Sequence, residues 1–137
     1  MNKSAKHIVK SFYNADFVRD TEAIKNCLHT DVELIWNSTD GLTIMDYNAI
    51  IDTFKEISRT YHELRIEVSH VLQDDDFVTI RYKYYIRTIE NPDEELGIAH
   101  FIAIWQVKDD KLYRGHQVSQ PVMSIDDSNG TYGKVKV

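Results

Sequence analysis

The strongest constraint on the fold lies in the second half of the chain, where four long segments alternate apolar and polar side chains. Alternation with a period of two is typical of strands that bury one face. The last two segments flank Asp109 and Asp110, which favour a tight turn. Turn-forming residues also separate the other segments, at 74–76 and 90–95. The sequence therefore predicts a four-stranded antiparallel meander over 63–73, 77–89, 96–107 and 112–118.

Three segments with helical spacing of apolar residues precede these strands. The first covers 4–18 with Ser4 as its N-cap, the second starts at Asp20 and the third at Asp46. A short strand at 32–37 lies between the second and third helices, and a polar turn or loop follows it at 37–41. Helices grouped before an antiparallel sheet predict an α+β fold with one layer of helices on one concave face of the sheet.

Length and charge limit the classes of function. The 137 residues are enough for one domain, 1–137, whose last residues, 122–137, form a polar tail without clear periodicity. A net charge of −6 disfavours nucleic-acid binding, because phosphate backbones are repelled. No apolar run is long enough to cross a bilayer, so no membrane partner is expected. Cys27 is the only cysteine, and no export signal is evident, so we expect a cytoplasmic protein.

Two sequence blocks carry a resemblance to a known superfamily. The motif DTEAI follows the first helix, and HTDVELIW leads into the short strand. Together with the final segment KLYRGHQVSQPV, they make residues 5–122 similar to the nuclear-transport-factor-2-like superfamily, which includes ketosteroid isomerase and the SnoaL-like cyclases. The resemblance implies a curved antiparallel sheet that forms a cone with the three N-terminal helices. It also implies a pocket inside the cone and dimers formed through the outer sheet face.

The residues at the superfamily's catalytic positions differ from the expected types. The resemblance places Trp36 and Ala103 where ketosteroid isomerases carry aspartates, and Gln117 where SnoaL-like cyclases carry one. Phe12 occupies the position of the tyrosine that stabilises the oxyanion, with Tyr13 beside it. Isomerisation next to a carbonyl needs a base and oxyanion donors, and neither Trp nor Ala supplies them. The chemistry usual for the superfamily is therefore not expected at these positions.

The resemblance implies a pocket, and the alternation of the strands would line it with aromatic side chains; three functional hypotheses follow from it. The first is a binding protein for a small apolar or aromatic organic ligand. The second is an isomerase, cyclase or dehydratase that uses relocated acid–base residues, with His70, Tyr82 and Tyr84 as candidates. The third is a non-enzymatic dimeric interaction module whose core is filled by its own side chains. The predicted pocket residues are Phe12, Tyr13, Trp36, His70, Tyr82, Tyr84, Phe101, Ala103, Trp105 and Gln117.

The opposite face of one strand carries a second predicted feature. Ile98, His100, Ile102 and Ile104 alternate with the inward-facing residues and would leave an apolar stripe in water. We therefore predict a homodimer through this face. No histidine or cysteine spacing matches a metal site, and no dinucleotide or Walker motif is present, so neither a metal nor a cofactor is expected.

Overall fold

The structure of the chain is a computed structural model that describes residues 4–122. The predicted tail after Val122 lies outside the described residues. The helices are α1 (Ala5–Tyr13), α2 (Thr21–Cys27) and α3 (Tyr47–Thr60). The strands are β1 (Leu28–Ser38), β2 (Gly41–Met45), β3 (Tyr61–Asp74), β4 (Phe77–Thr88), β5 (Glu95–Lys108) and β6 (Lys111–Pro121). The α+β class with helices before the long strands is confirmed.

The strands form one open sheet in the order β2-β1-β6-β5-β4-β3. The predicted antiparallel meander β3–β6 is confirmed. The sheet as a whole is mixed, because β1 runs parallel to β6, with Leu34 opposite Gly115 and Trp36 opposite Gln117. This pairing covers the edge of β6, whose backbone groups would otherwise lack partners.

The segment predicted as a loop after the first strand begins a hairpin instead. Ser38 pairs with Gly41, and β2 then returns along β1. Gly41 has a φ of +102°, a conformation that glycine adopts without a steric penalty. The hairpin adds an edge strand whose outer side chains, Leu42 and Ile44, are both 61% exposed.

Each helix begins where the sequence predicts it. The N-cap side chains accept a hydrogen bond from the backbone three residues ahead, in the pairs Ser4–His7, Asp20–Ala23 and Asp46–Ala49. Helix α1 ends at Tyr13, earlier than predicted. The carboxylate of Asp16 accepts hydrogen bonds from the backbone N–H groups of Val18 and Arg19 at 3.0 and 3.1 Å, which stabilises a turn in place of the helix.

All three helices pack on the same face of the sheet, called here the inner face. Its centre is Trp105, whose side chain is 2% exposed. Gly115 lies opposite Trp105 on β6, and a Cβ added to Gly115 would come within 2.6 Å of the indole ring. The indole therefore lies directly against the backbone of β6, and this close contact requires glycine at that position.

Candidate functional site

A cavity lies between α1, α3 and the inner face of the sheet, with a volume of about 80 Å³. Its walls are mainly aromatic. The half-buried members of the lining, Trp36, Thr53, Ile57 and Tyr84, mark its mouth between β1, β4 and α3. The aromatic lining residues are Phe12, Tyr13, Trp36, Phe54, Tyr82, Tyr84, Phe101 and Trp105.

The aromatic rings support one another within this wall. Phe101 stacks on Tyr82 with the ring centroids 4.9 Å apart and the planes 5° from parallel, and it contacts Tyr84 at 4.4 Å. Tyr13 packs against Tyr82 at 4.6 Å. Such pairs add about 0.5–1.5 kcal/mol each beyond the area they bury, so the wall offers flat apolar surfaces that are held in place.

Two hydrogen bonds organise the polar groups inside the aromatic cluster. The indole N–H of Trp105 donates to the hydroxyl oxygen of Tyr13 at 2.9 Å. The hydroxyl of Tyr82 donates to Oε1 of Gln117 at 2.8 Å. These bonds fix the orientation of Tyr13 and of the Gln117 amide.

The second half of the Gln117 amide is available to a ligand. Within residues 4–122, Nε2 of Gln117 has no hydrogen-bond partner, although the residue is only 7% exposed. Every described side-chain nitrogen or oxygen that is fully shielded from solvent does have a partner. Nε2 must therefore be reachable, and since Gln117 lines the cavity, it presents an N–H₂ donor there.

The tyrosines of the cavity are neutral at physiological pH. Burial raises the pKa of Tyr13 from 10.0 to about 12, against the opposing effect of hydrogen bonds with Tyr82 and Trp105. Burial also raises the pKa values of Tyr82 and Tyr84 above the usual range of tyrosine. The neighbouring phenols of Tyr13 and Tyr84 add to this effect at Tyr82, whereas at Tyr84 the phenol of Tyr13 raises the pKa and the hydrogen bond with Tyr82 lowers it. The three phenols can donate and accept hydrogen bonds, but they do not form phenolates near pH 7.

Because of this burial, we expect the cavity tyrosines to ionise only at high pH and together with unfolding of the protein. A group whose pKa is raised by folding stabilises the native state below its unfolded pKa, here about 10, and loses that contribution as the pH rises through its folded pKa. We expect stability to fall between pH 10 and 12. Phenolate absorbance near 295 nm should rise in step with the loss of near-ultraviolet circular dichroism. Titration of all eight tyrosines in the chain with a common pKa of about 10, with an intact fold, would contradict the burial.

The structure brings together most of the predicted pocket residues. Phe12, Tyr13, Trp36, Tyr82, Tyr84, Phe101, Trp105 and Gln117 all line the cavity. Ala103 is fully buried on the inner face but does not line it. The functional role of these residues stays a prediction.

The predicted inward position of His70 is wrong. The pairing of β3 with β4 is irregular between Val68 and His70, so one extra residue enters β3 there. Such a bulge reverses the alternation beyond it. Val71 packs against the core instead, while His70 is exposed with Nδ1 2.9 Å from the hydroxyl of Ser69. His70 therefore cannot act on a molecule in the cavity.

Some of the lining residues were not predicted as members of the site. Ile50, Phe54 and Ile57 of α3 recur at helical spacing along one side of that helix, which is the signal that could have placed them at the cavity. Met45 also contributes to the wall, from the unpredicted strand β2.

The outer face of the sheet divides into a polar and an apolar half. Around β3 the side chains are ion-paired, as in the two hydrogen bonds from Arg65 to Glu95 at 2.9 and 3.1 Å. Across β5, β6 and β2 the outer face carries exposed aliphatic side chains, called here the outer patch. Its members are Leu42 (61% exposed), Ile44 (61%), Ile102 (44%), Ile104 (44%) and Val118 (51%). Ile98 and His100 of the predicted stripe are half-buried.

Sequence comparison identifies the family of this chain. The family model described as SnoaL-like domain matches residues 9–115, which is most of the chain.

The chain belongs to the SnoaL-like domain family.

Solved structures of similar shape agree with this assignment. IdmH, a putative polyketide cyclase from Streptomyces antibioticus, superposes with a TM-score of 0.70 at 14% identity, covering 85% of this chain and 92% of that chain. A protein with a ketosteroid isomerase-like fold from Catenulispora acidiphila, in complex with trimethylamine, gives 0.62 at 13% identity and 92% coverage of both chains. TerC co-crystallised with polyporic acid gives 0.62 at 17% identity, covering 83% and 90%. No curated protein sequence matches this chain.

In this SnoaL-like domain the cavity carries no formal charge. None of its lining residues in the described part of the chain is an Asp, Glu, His, Lys or Arg. Over residues 4–122, no group of three or more His, Cys, Asp or Glu side chains is placed to hold a metal ion. None of the helices in the same range is long and apolar enough to span a membrane.

Proposed function

We propose that this SnoaL-like domain binds a small, flat aromatic molecule with a carbonyl oxygen, and that the Gln117 amide recognises that oxygen. The observation that carries the proposal is the partnerless Nε2 of Gln117, at the end of the hydrogen bond from Tyr82, inside an aromatic wall. The hydrogen bond from Tyr82 holds the amide in place, so Nε2 is an oriented donor that a ligand oxygen can reach.

The shape and polarity of the cavity select the class of ligand. Aromatic rings packed with centroids 4.4–4.9 Å apart, one pair of them stacked, present flat faces, which favour an aromatic guest. The lining has no ionisable group that is charged near neutral pH, so a charged ligand would lose its hydration without compensation. Apolar lining with few oriented polar groups is the usual composition of a small-molecule site.

The size of the cavity limits the ligand to one or two rings. Its volume of about 80 Å³ is below the roughly 300–1,000 Å³ of typical ligand sites. Trp36 and Tyr84 are half-buried at the mouth, and a bicyclic ligand would displace them outwards. Binding should therefore be accompanied by a change in tryptophan fluorescence.

Proton-transfer catalysis is not part of the proposal. His70 is outside the cavity, and burial keeps Tyr82 and Tyr84 protonated. A general base must have a pKa near the working pH, and no group lining the described cavity has one.

The proposal is tested by a binding cycle with two ligands and two proteins. The ligands are 1-indanone and indane, which share a fused ring system but differ by the carbonyl oxygen. We expect wild-type protein to bind 1-indanone about three- to tenfold more tightly than indane in calorimetry, since one hydrogen bond to a solvent-reachable amide is worth roughly 0.5–1.5 kcal/mol. In Gln117→Leu the preference should vanish, because the donor is absent.

Gln120→Leu is the matched control for this cycle, since Gln120 is exposed on the same strand. It should keep the preference for 1-indanone. An equal preference in wild type and Gln117→Leu would refute recognition by Gln117, and failure of both ligands to bind would refute the site.

A second proposal concerns the outer patch. Val118, Ile102 and Ile104 lie on the neighbouring strands β6 and β5, with Val118 directly opposite Ile102, and Leu42 and Ile44 lie on β2, beyond β1. Exposed apolar surface of this kind is unfavourable in water and usually marks a contact with another protein. A homodimer through this face covers the patch. The small volume of the cavity also fits the alternative in which dimerisation, rather than ligand binding, is the main role.

A further inference from the structure

A second cleft lies on the opposite side of α1 from the aromatic cavity. It is bounded by α1 and by residues 66–80 of the β3–β4 hairpin. Its volume is about 380 Å³, larger than that of the aromatic cavity and within the range of typical ligand sites. Within residues 4–122 the two linings share only Tyr13, whose buried ring lies between the two spaces. The cleft is therefore a distinct site with its own opening.

The floor of the cleft is aliphatic. It is formed by Ile66, Val68 and Val71 of β3 and Ile80 of β4. Val71 reaches this face because of the same bulge that turns His70 away. Val68 is 41% exposed, so the floor is incompletely covered by the protein itself. From Ile66 to Val71 the floor spans about 16 Å at the usual rise per residue of a strand.

The rim of the cleft is polar and basic. Helix α1 contributes His7, Lys10 and Ser11, and its C-cap is Asn14, all of them exposed; none of the described lining residues is acidic. Among residues 4–122, the ammonium group of Lys10 has no ion-pair partner within 4.0 Å. In a chain with a net charge of −6, this rim is locally favourable for an anion.

We propose that this cleft binds a single-chain amphiphilic monocarboxylate. The carboxylate pairs with Lys10 at the rim and accepts hydrogen bonds from Ser11 or Asn14. The hydrocarbon chain lies along Ile66, Val68 and Val71 and covers them from water. This site is independent of the proposed aromatic ligand, and either site can exist without the other.

The test uses decanoate as the probe and isothermal titration calorimetry of the full chain. Decanoate should bind at least tenfold more tightly than acetate, which carries the same charge without the chain. Lys10→Glu should weaken decanoate binding at least tenfold. Lys55→Glu, which makes the same charge change on the exposed side of α3, should change it less than twofold. Val68→Asp should also weaken binding at least tenfold, because it places a carboxylate on the floor.

Each other outcome overturns the assignment. Equal losses in Lys10→Glu and Lys55→Glu would mean unspecific attraction to the whole surface charge. Loss of decanoate binding in Trp36→Ala, with Lys10→Glu unaffected, would place the probe in the aromatic cavity. No heat of binding to wild type at millimolar decanoate would exclude the site.

Discussion

Replacing Trp105 with alanine should lower the free energy of unfolding by about 3–5 kcal/mol, the usual loss when a buried large aromatic side chain is removed. Trp105 is 2% exposed, contacts Phe12 and donates a hydrogen bond to Tyr13. Its removal leaves a void at the centre of the sheet and the hydroxyl of Tyr13 without its donor. Urea unfolding followed by circular dichroism at fixed protein concentration measures the change.

A double-mutant cycle with Gly115 shows that the loss comes from this specific contact. In wild type, Gly115→Ala should lower the free energy of unfolding by about 1–3 kcal/mol, because the Cβ of the new alanine would lie 2.6 Å from the indole of Trp105. In a Trp105→Ala background the ring is absent, so the same change should cost much less. An equal cost in both backgrounds would show that Trp105 does not lie against Gly115.

Ile102→Glu should convert the proposed homodimer to a monomer. Ile102 belongs to the outer patch, beside Val118 and on the same face as Ile104, and burying a carboxylate there without a partner is costly. Sedimentation velocity at micromolar concentration should show one species of about twice the chain mass for wild type and one of the chain mass, 16.0 kDa, for the variant.

Ile89→Glu is the matched control for this prediction. Ile89 is 56% exposed, which is comparable to Ile102, but it lies in the loop after β4 and away from the outer patch. It should leave the dimer intact. A wild-type monomer at all concentrations, or an intact Ile102→Glu dimer, would show that the outer patch does not join two subunits.

The sequence predicts strand faces, tight turns and helix starts well, because each depends on residues that are close together in the chain. The alternation in 77–89 places Val78, Ile80 and Tyr82 on the inner face, and all three are buried there. The turn at Asp109–Asp110 is confirmed, with both residues at positive φ values, 55° and 60°. Capping side chains mark the helix starts because the cap and its partner are only three residues apart.

The features that the sequence does not predict depend on pairing between distant segments. The bulge at Val68 and His70 exists only in the register of β3 against β4, so strict alternation places His70 on the wrong face. The parallel pairing of β1 with β6 joins residues about 80 positions apart. Strand β2 is short and mostly exposed, so it carries no clear alternation, and without it Leu42 and Ile44 are not recognised as part of the outer patch.

The same distinction applies to the cavity. The aromatic wall follows from which strand faces are apolar, and Trp36, Tyr82 and Phe101 on those faces line the cavity. The hydrogen bond from Tyr82 to Gln117 joins residues on two strands separated by β5. Because this bond occupies Oε1 of the amide, Nε2 is the atom left for a ligand. Sequence alone gives the residue types of the site, whereas the direction of its donor requires the three-dimensional arrangement.

The most direct test of the account is a ¹H–¹⁵N spectrum of the Gln117 side-chain amide during titration with 1-indanone. Its two signals are identified by their absence in Gln117→Leu. Recognition of a ligand carbonyl by Nε2 predicts that these signals move with the ligand concentration while those of Gln120 stay in place. Unchanged Gln117 signals, with shifts confined to residues around Lys10 or the outer patch, would contradict a carbonyl-binding site in the aromatic cavity.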